Sequence, residues 1–220
     1  IVNKLTHNTG VVSMIQTSAT EKTAVMYSPA GNLSYYNLLT GKTKQRFSVE
    51  QGLEQPVMFS NSLFLSGVRD NIIYIIHALT GKTIATVKCE NPVLLNEKNP
   101  QNLHYLSNDG KGTYVLNMIE NVNNNSVSTP KILKTLKGPR GNAAIVCGTK
   151  NGAEIMLGSK SGALFKTTAF AETEAVALSA ITENTYDKIL DMAPVGEDFY
   201  FLTRNAVFKS SYDTGMVDRK

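Results

Sequence analysis

The pentapeptide Leu-Thr-Gly-Lys-Thr occurs twice in the chain, at residues 39–43 and again at residues 79–83. The two copies are 40 residues apart, counted from Thr40 to Thr80. Recurrence of a sequence at a fixed distance of this kind indicates a repeated structural unit. The feature therefore constrains the fold more strongly than composition does.

Five segments of a second, looser pattern support the repeat. Each has an apolar run, a turn rich in Ser, Thr or Gly, and another apolar or alternating run, which is the pattern of a β-hairpin. The turns close on Gly or Asn, the residues that adopt positive φ most readily. These residues are Gly31, Asn71, Gly110, Gly162 and Asn205, at intervals of 40, 39, 52 and 43 residues. A period of about 40 residues is typical of a four-stranded propeller blade.

The longest interval contains a polar stretch without apolar periodicity, at about residues 119–130. We interpret it as a loop insertion, which adds little to the entropic cost of folding. The rest predicts an all-β protein of short strands. We therefore predict one β-propeller domain over residues 1–220, either a complete five-bladed ring or part of a larger propeller. The segment 172–190 alone has a composition that supports a helix, although it also suits a strand.

The two pentapeptides resemble a segment of WD-repeat and quinoprotein-like (PQQ-like) propellers. In those families a turn containing Thr-Gly-Lys follows the third strand of a blade and leads into the outer fourth strand. Tyr36-Asn37 and Ile76-His77 stand where the WD family has Trp-Asp. The chain has no Trp and no Gly-His dipeptide, so the resemblance implies a divergent propeller.

Residue patterns typical of catalysis are missing from the sequence. It contains no GxSxG, P-loop or GxGxxG motif. The histidines, His7, His77 and His104, are scattered, and the cysteines, Cys89 and Cys147, are too few for a zinc site or a disulfide framework. Asp70 and Asp109 are expected to stabilise turns. We expect no enzymatic activity, no cofactor and no metal.

A basic strip is the strongest candidate for a working surface. Lys131, Lys134, Lys137 and Arg140 lie in a ten-residue stretch without acidic residues, directly after the polar stretch. They could bind an acidic protein or nucleic-acid phosphates. They could equally be solvated lysines of an outer strand, which deter aggregation. Residues 42–46 form a second basic patch.

These observations favour a non-catalytic protein-interaction scaffold in a multi-subunit complex, for example a eukaryotic ribosome-biogenesis or other nucleoprotein complex. An intracellular, for example nuclear or nucleolar, location is favoured, and no segment is apolar enough to insert into a membrane. One alternative is a luminal propeller of the secretory pathway, glycosylated at Asn32 or Asn124. Another is a propeller enzyme with a ligand in its central channel. The chain begins at Ile1, so we expect a processed protein or an excised domain.

Overall fold

The computed structural model describes residues 12–18, 22–97, 101–123, 125–137, 145–150, 154–159, 164–168, 176–177, 189–195, 198–203, 206–211 and 217–219. In these ranges the secondary structure consists of β-strands and turns, and twenty strands follow one another in five groups of four. We call each group a blade. None of these ranges holds a helix of the length and hydropathy that a membrane span requires.

The chain divides into two compact units, and the first comprises residues 1–88 and 121–128. It contains blades 1 and 2, each an antiparallel sheet in which the strands pair in chain order. Blade 1 consists of β1 (Met14–Ser18), β2 (Thr23–Ser28), β3 (Asn32–Asn37) and β4 (Thr43–Ser48). Blade 2 consists of β5 (Glu54–Phe59), β6 (Phe64–Arg69), β7 (Ile72–His77) and β8 (Thr83–Lys88).

Buried apolar side chains hold blades 1 and 2 together within this unit. One cluster takes members from both blades, among them Tyr27, Leu33, Met58 and Ile76. The Tyr27 hydroxyl group helps to hold the connection between β4 and β5, since it donates to the Glu50 carbonyl oxygen (2.9 Å) and accepts from the Leu53 amide (3.1 Å).

The second unit comprises residues 89–120 and 129–220 and contains blades 3, 4 and 5. Blade 3 consists of β9 (Val93–Asn96), β10 (Leu103–Asn108), β11 (Thr113–Ile119) and β12 (Lys131–Lys137). Blade 4 consists of β13 (Ile145–Lys150), β14 (Glu154–Ser159), β15 (Leu164–Thr168) and β16 (Val176–Ala177). Blade 5 consists of β17 (Asp191–Val195), β18 (Asp198–Leu202), β19 (Val207–Ser211) and β20 (Val217–Arg219).

Blades 3 and 4 are joined through their first strands. β9 pairs with β13 in parallel, with Leu95 opposite Cys147 and Asn96 opposite Gly148. Asn96 also donates its side-chain amide to the carbonyl oxygen of Met192 in β17 (3.0 Å). The first strands of all three blades in this unit are therefore in contact.

The five predicted hairpins are confirmed. They are the antiparallel pairs β2–β3, β6–β7, β10–β11, β14–β15 and β18–β19. Positive φ angles are found at the predicted turn residues Gly31 (82°), Asn71 (60°) and Gly110 (71°), while Gly162 and Asn205 lie outside the described residues. Most of the segment 172–190 also lies outside them; of its described residues, Val176–Ala177 form a strand, the alternative to a helix, and Ile189 and Leu190 lie in neither.

Candidate partner-binding site on the third blade

Strand β12 forms the outer edge of blade 3. In the described part of the chain it pairs with β11 alone, while β11 lies between β12 and β10. The strand contains Ile132, Leu133 and Thr135, whose branched or apolar side chains suit a pleated sheet. One of its side chains, Leu136, is buried in the core of the blade with Tyr114 and Leu116.

Two large apolar side chains of β12 are exposed to solvent. Ile132 is 68% exposed and Leu133 is 41% exposed. The corresponding outer strands of blades 1 and 2, β4 and β8, contain no exposed large hydrophobic residue. β12 therefore departs from the other two outer strands whose side chains the structure describes.

The two exposed residues lie at a β-bulge, and the outer strands of blades 1 and 2 also have a bulge where they pair with the third strand. Leu116 is opposite Lys134, whereas Asn117 is opposite Ile132, so Leu133 is the extra residue on β12. In a regular strand, adjacent side chains point to opposite faces and one of this pair would be expected to face the core. The bulge disturbs that alternation and twists the edge strand locally.

The residues of the predicted basic strip occupy one strand and the segment after it. Lys131 is the first residue of β12 and is exposed, Lys134 is half-buried beyond the bulge, and Lys137 is the last residue of the strand. Arg140 lies outside the described residues. The structure thus brings three of the four predicted residues onto one edge strand, and their role in binding stays a prediction.

The polar stretch before β12 connects β11 to β12 and is locally ordered around Asn123. The side-chain oxygen of Asn123 accepts hydrogen bonds from the amides of Asn125 (3.0 Å) and Ser126 (2.9 Å). Its side-chain amide donates to the Ser126 hydroxyl oxygen (2.8 Å). These hydrogen bonds form a turn of the kind that Asn side chains stabilise in loops.

The two Leu-Thr-Gly-Lys-Thr segments are turns, as predicted, between the third and fourth strands of blades 1 and 2. Gly41 and Gly81 adopt positive φ (68° and 71°). In the first turn the Asn37 side chain accepts hydrogen bonds from the amides of Leu39 (2.8 Å) and Thr40 (3.1 Å). Local geometry therefore explains this repeat.

His77 and Asp109 have structural roles. The His77 ring packs edge-on against Phe64, and its Nδ1 lies 3.2 Å from the Thr80 hydroxyl oxygen. Asp109 accepts from the amides of Thr113 (3.0 Å) and Lys111 (2.8 Å), and these bonds hold the pKa of its carboxyl group below its usual value. Among the described residues there is no group of three or more His, Cys, Asp or Glu that could hold a metal ion.

Sequence reasoning missed a close contact between a histidine and a glutamate in blade 3. His104 Nδ1 lies 2.8 Å from Glu97 Oε1, and their side chains are 18% and 10% exposed. His104 is in β10 and Glu97 directly follows β9, so the pairing of these strands brings the two residues together. Two residues separated by a connection of this kind give no local sequence signal.

The Cys89 side chain is half-buried. Removal from solvent raises the pKa of its thiol to about 11. Burial likewise raises the pKa of the Tyr105 hydroxyl to about 12. Ordinary thiols and phenols are already largely uncharged at neutral pH, and the raised pKa lowers the thiolate fraction of Cys89 further. The Cys147 side chain lies outside the described part of the structure.

Solved structures with the same fold come from different proteins. The WD40 domain of SCAP from fission yeast has 11% sequence identity and a TM-score of 0.54, with 94% of this chain and 54% of that chain covered. A chain of the nidogen/laminin complex has 12% identity and a TM-score of 0.62, with 95% of this chain and 79% of that chain covered. The chain thus spans about half the length of the SCAP WD40 chain. Identities this low show the fold alone.

A family model matches most of the sequence, while no curated protein matches it. The matching model is TP_0598_N, described as an N-terminal β-propeller domain, and it covers residues 2–172. That range includes blades 1 to 3 and reaches into blade 4. The predicted all-β propeller, with its divergent blades, is thereby confirmed. The chain belongs to the TP_0598_N family of N-terminal β-propeller domains.

Proposed function

We propose that this propeller is a non-catalytic protein-interaction scaffold whose partner binds at the outer strand of blade 3. The observation that carries the proposal is the exposure of Ile132 and Leu133 (68% and 41%) next to Lys131 and Lys134. Propellers offer rigid blade edges and loops as binding surfaces, and this edge combines apolar area with positive charge. Partner-binding surfaces typically have this combination of an apolar centre and a polar rim.

The comparison with blade 1 supports the choice of surface. Its outer strand β4 carries exposed Lys44, Gln45 and Arg46, and its one large apolar residue, Phe47, is half-buried. A solvated outer strand of this fold therefore does not need exposed aliphatic side chains. Because exposed Ile and Leu side chains gain about 1.5–3 kcal/mol each when fully buried, covering them would contribute to binding.

We extend the proposal to a multi-subunit assembly, in which the scaffold holds its partner without changing it chemically. A nucleoprotein assembly is compatible with the lysines of β12, since basic residues can also contact phosphates. Ile132 and Leu133 favour a protein as the direct partner, because phosphate contacts need no exposed aliphatic pair.

The test is a quantitative pull-down with mass spectrometry from cells that express the protein naturally. The wild type is compared with an Ile132→Ser/Leu133→Ser variant, and with a control variant, Lys42→Glu/Arg46→Glu, altered at blade 1. We expect one set of proteins to be retained by the wild type and the control, and to be lost with the β12 variant. Unchanged retention by the β12 variant, with its circular dichroism spectrum intact, would contradict the proposal.

A further inference from the structure

We infer that the partner binds as an acidic, extended segment that adds a further strand to blade 3 along β12. The inference rests on the proposed function and specifies how the partner is recognised. It follows from three properties of the same strand, namely an edge that no second described strand pairs with, its exposed aliphatic side chains and its charge.

The first property is the free edge. β12 is seven residues long and has β11 on one side, and no other described strand pairs with it. Along an edge strand, every second residue directs its amide and carbonyl groups away from the sheet. None of the backbone hydrogen bonds found outside the strand ladders of the described chain involves residues 131–137. The edge therefore offers main-chain groups to which an extended peptide can bind.

The second property is the aliphatic pair. Ile132 and Leu133 are adjacent in sequence, both are exposed, and they lie at the bulge opposite Leu116 and Asn117. A strand added beside them would cover part of their surface. The apolar residues of the added strand would supply contacts that the backbone hydrogen bonds alone cannot provide.

The third property is the charge. β12 contains Lys131, Lys134 and Lys137 and no acidic residue. In an antiparallel pair of two β12 strands centred on Lys134, Lys131 would be opposite Lys137 and Lys134 opposite its own copy. Like charges directly opposite each other destabilise a strand pair. A second copy of this chain is therefore a poor occupant, whereas a strand with carboxylates at those positions is complementary.

The lysines and the bulge of β12 would make the edge selective for acidic strands. Lysines and bulges on edge strands prevent indiscriminate pairing with other proteins. The lysines attract the carboxylates of an acidic strand, whereas they disfavour pairing with a neutral or basic strand. The same residues therefore select for acidic strands.

The experiment uses fluorescence anisotropy with the whole chain and a labelled peptide, Glu-Val-Glu-Ile-Glu-Val-Glu-Ile. A Lys-for-Glu counterpart measures the charge requirement. Two further peptides carry N-methyl groups on either all Glu residues or all aliphatic residues. Because alternate amides of a strand point to opposite edges, these two peptides block opposite edges of the added strand.

We expect the acidic peptide to bind and the basic one not to bind. One N-methylated peptide should bind about tenfold more weakly than the parent, as expected for the loss of two or three ladder hydrogen bonds, and the other should bind nearly as the parent does. Binding of the acidic peptide should be about tenfold weaker for two variants of β12, Ile132→Ser/Leu133→Ser and Lys131→Glu/Lys134→Glu. The control variant Lys42→Glu/Arg46→Glu should bind it as the wild type does.

Other outcomes would overturn the inference in distinguishable ways. Strand addition is excluded if the acidic peptide does not bind, or if the two N-methylated peptides bind equally. The proposed function still stands in that case if retention of the pull-down partner depends on Ile132 and Leu133. If the whole chain sediments as a dimer, and Ile132→Ser/Leu133→Ser converts that dimer to a monomer, then a second copy of the chain is the occupant of the edge. A 20-nucleotide single-stranded RNA is tested in the same way. If this RNA displaces the peptide, and only Lys131→Glu/Lys134→Glu abolishes its binding, then nucleic acid is the ligand.

Discussion

The hydroxyl group of Tyr27 makes two of the hydrogen bonds that hold the connection between blades 1 and 2. It accepts from the Leu53 amide and donates to the Glu50 carbonyl oxygen, and both Tyr27 and Leu53 are buried. The same burial raises the pKa of the Tyr27 hydroxyl. We expect Tyr27→Phe to leave the Leu53 amide without a partner and to lower the free energy of unfolding by about 1–3 kcal/mol. Urea denaturation measures the loss.

Tyr74→Phe is the matched control for that experiment. The Tyr74 hydroxyl accepts from Arg69 (2.9 Å), and the residue is half-buried, so water can replace the lost bond. A larger effect at Tyr74 than at Tyr27 would contradict the role assigned to the buried hydroxyl.

The Cys89 thiol leads to a prediction about pH. An ordinary thiol has a pKa of about 8.5, whereas that of Cys89 is raised to about 11 by burial. The folded state therefore retains a proton that the unfolded chain loses, so this contribution to stability is present below about pH 8.5 and disappears as the pH rises toward 11. At pH 8, in a Cys147→Ser background, we expect disulfide-exchange reagents to modify Cys89 about two orders of magnitude more slowly than a denatured control. Equal rates would show that the thiol is not protected.

At the scale of the element, turns are predictable from sequence because their cause is local. Gly31, Asn71 and Gly110 adopt the positive φ angles that their residue types allow. The bulge on β12 differs from the turns in that its cause is not local, since it depends on how the strand pairs with Leu116 and Asn117 of β11. The basic strip could therefore be predicted as a charged outer strand, whereas the exposed aliphatic pair within it could not.

Two glycines with positive φ test the structural interpretation of the repeated pentapeptide. A Cβ atom on Gly81 would overlap the carbonyl oxygen of Ser48, whereas one on Gly52 would lie 3.8 Å from the nearest atom, Cδ of Arg69. Both replacements by Ala add the strain of a left-handed backbone, about 1–2 kcal/mol. Gly81→Ala must in addition displace backbone atoms, so we expect its unfolding midpoint to fall further than that of Gly52→Ala. Equal midpoints would show that the turn adapts without cost.

At the scale of the whole molecule, contacts between distant residues lie beyond sequence reasoning. The Glu97–His104 contact joins two neighbouring strands, and the Asn96–Met192 hydrogen bond joins residues 96 positions apart. Repeat spacing predicts that the blades exist, because each blade forms from consecutive residues. Which side chains link one blade to another depends on how the blades pack, and no local pattern encodes it.

Asn96 provides a test of that long-range link within the second unit. Its side chain donates to the Met192 carbonyl oxygen (3.0 Å), while its strand β9 also pairs with β13. Removing the amide by Asn96→Ala takes away one half-buried hydrogen bond, so we expect a loss of about 0.5–1.5 kcal/mol in the free energy of unfolding. Asn125→Ala, at an exposed loop position, is the control and should have no measurable effect. Hydrogen exchange should locate the weakening in β17, because the bond to Met192 connects that strand to blade 3; faster exchange confined to β9 would mean that Asn96 stabilises only its own blade.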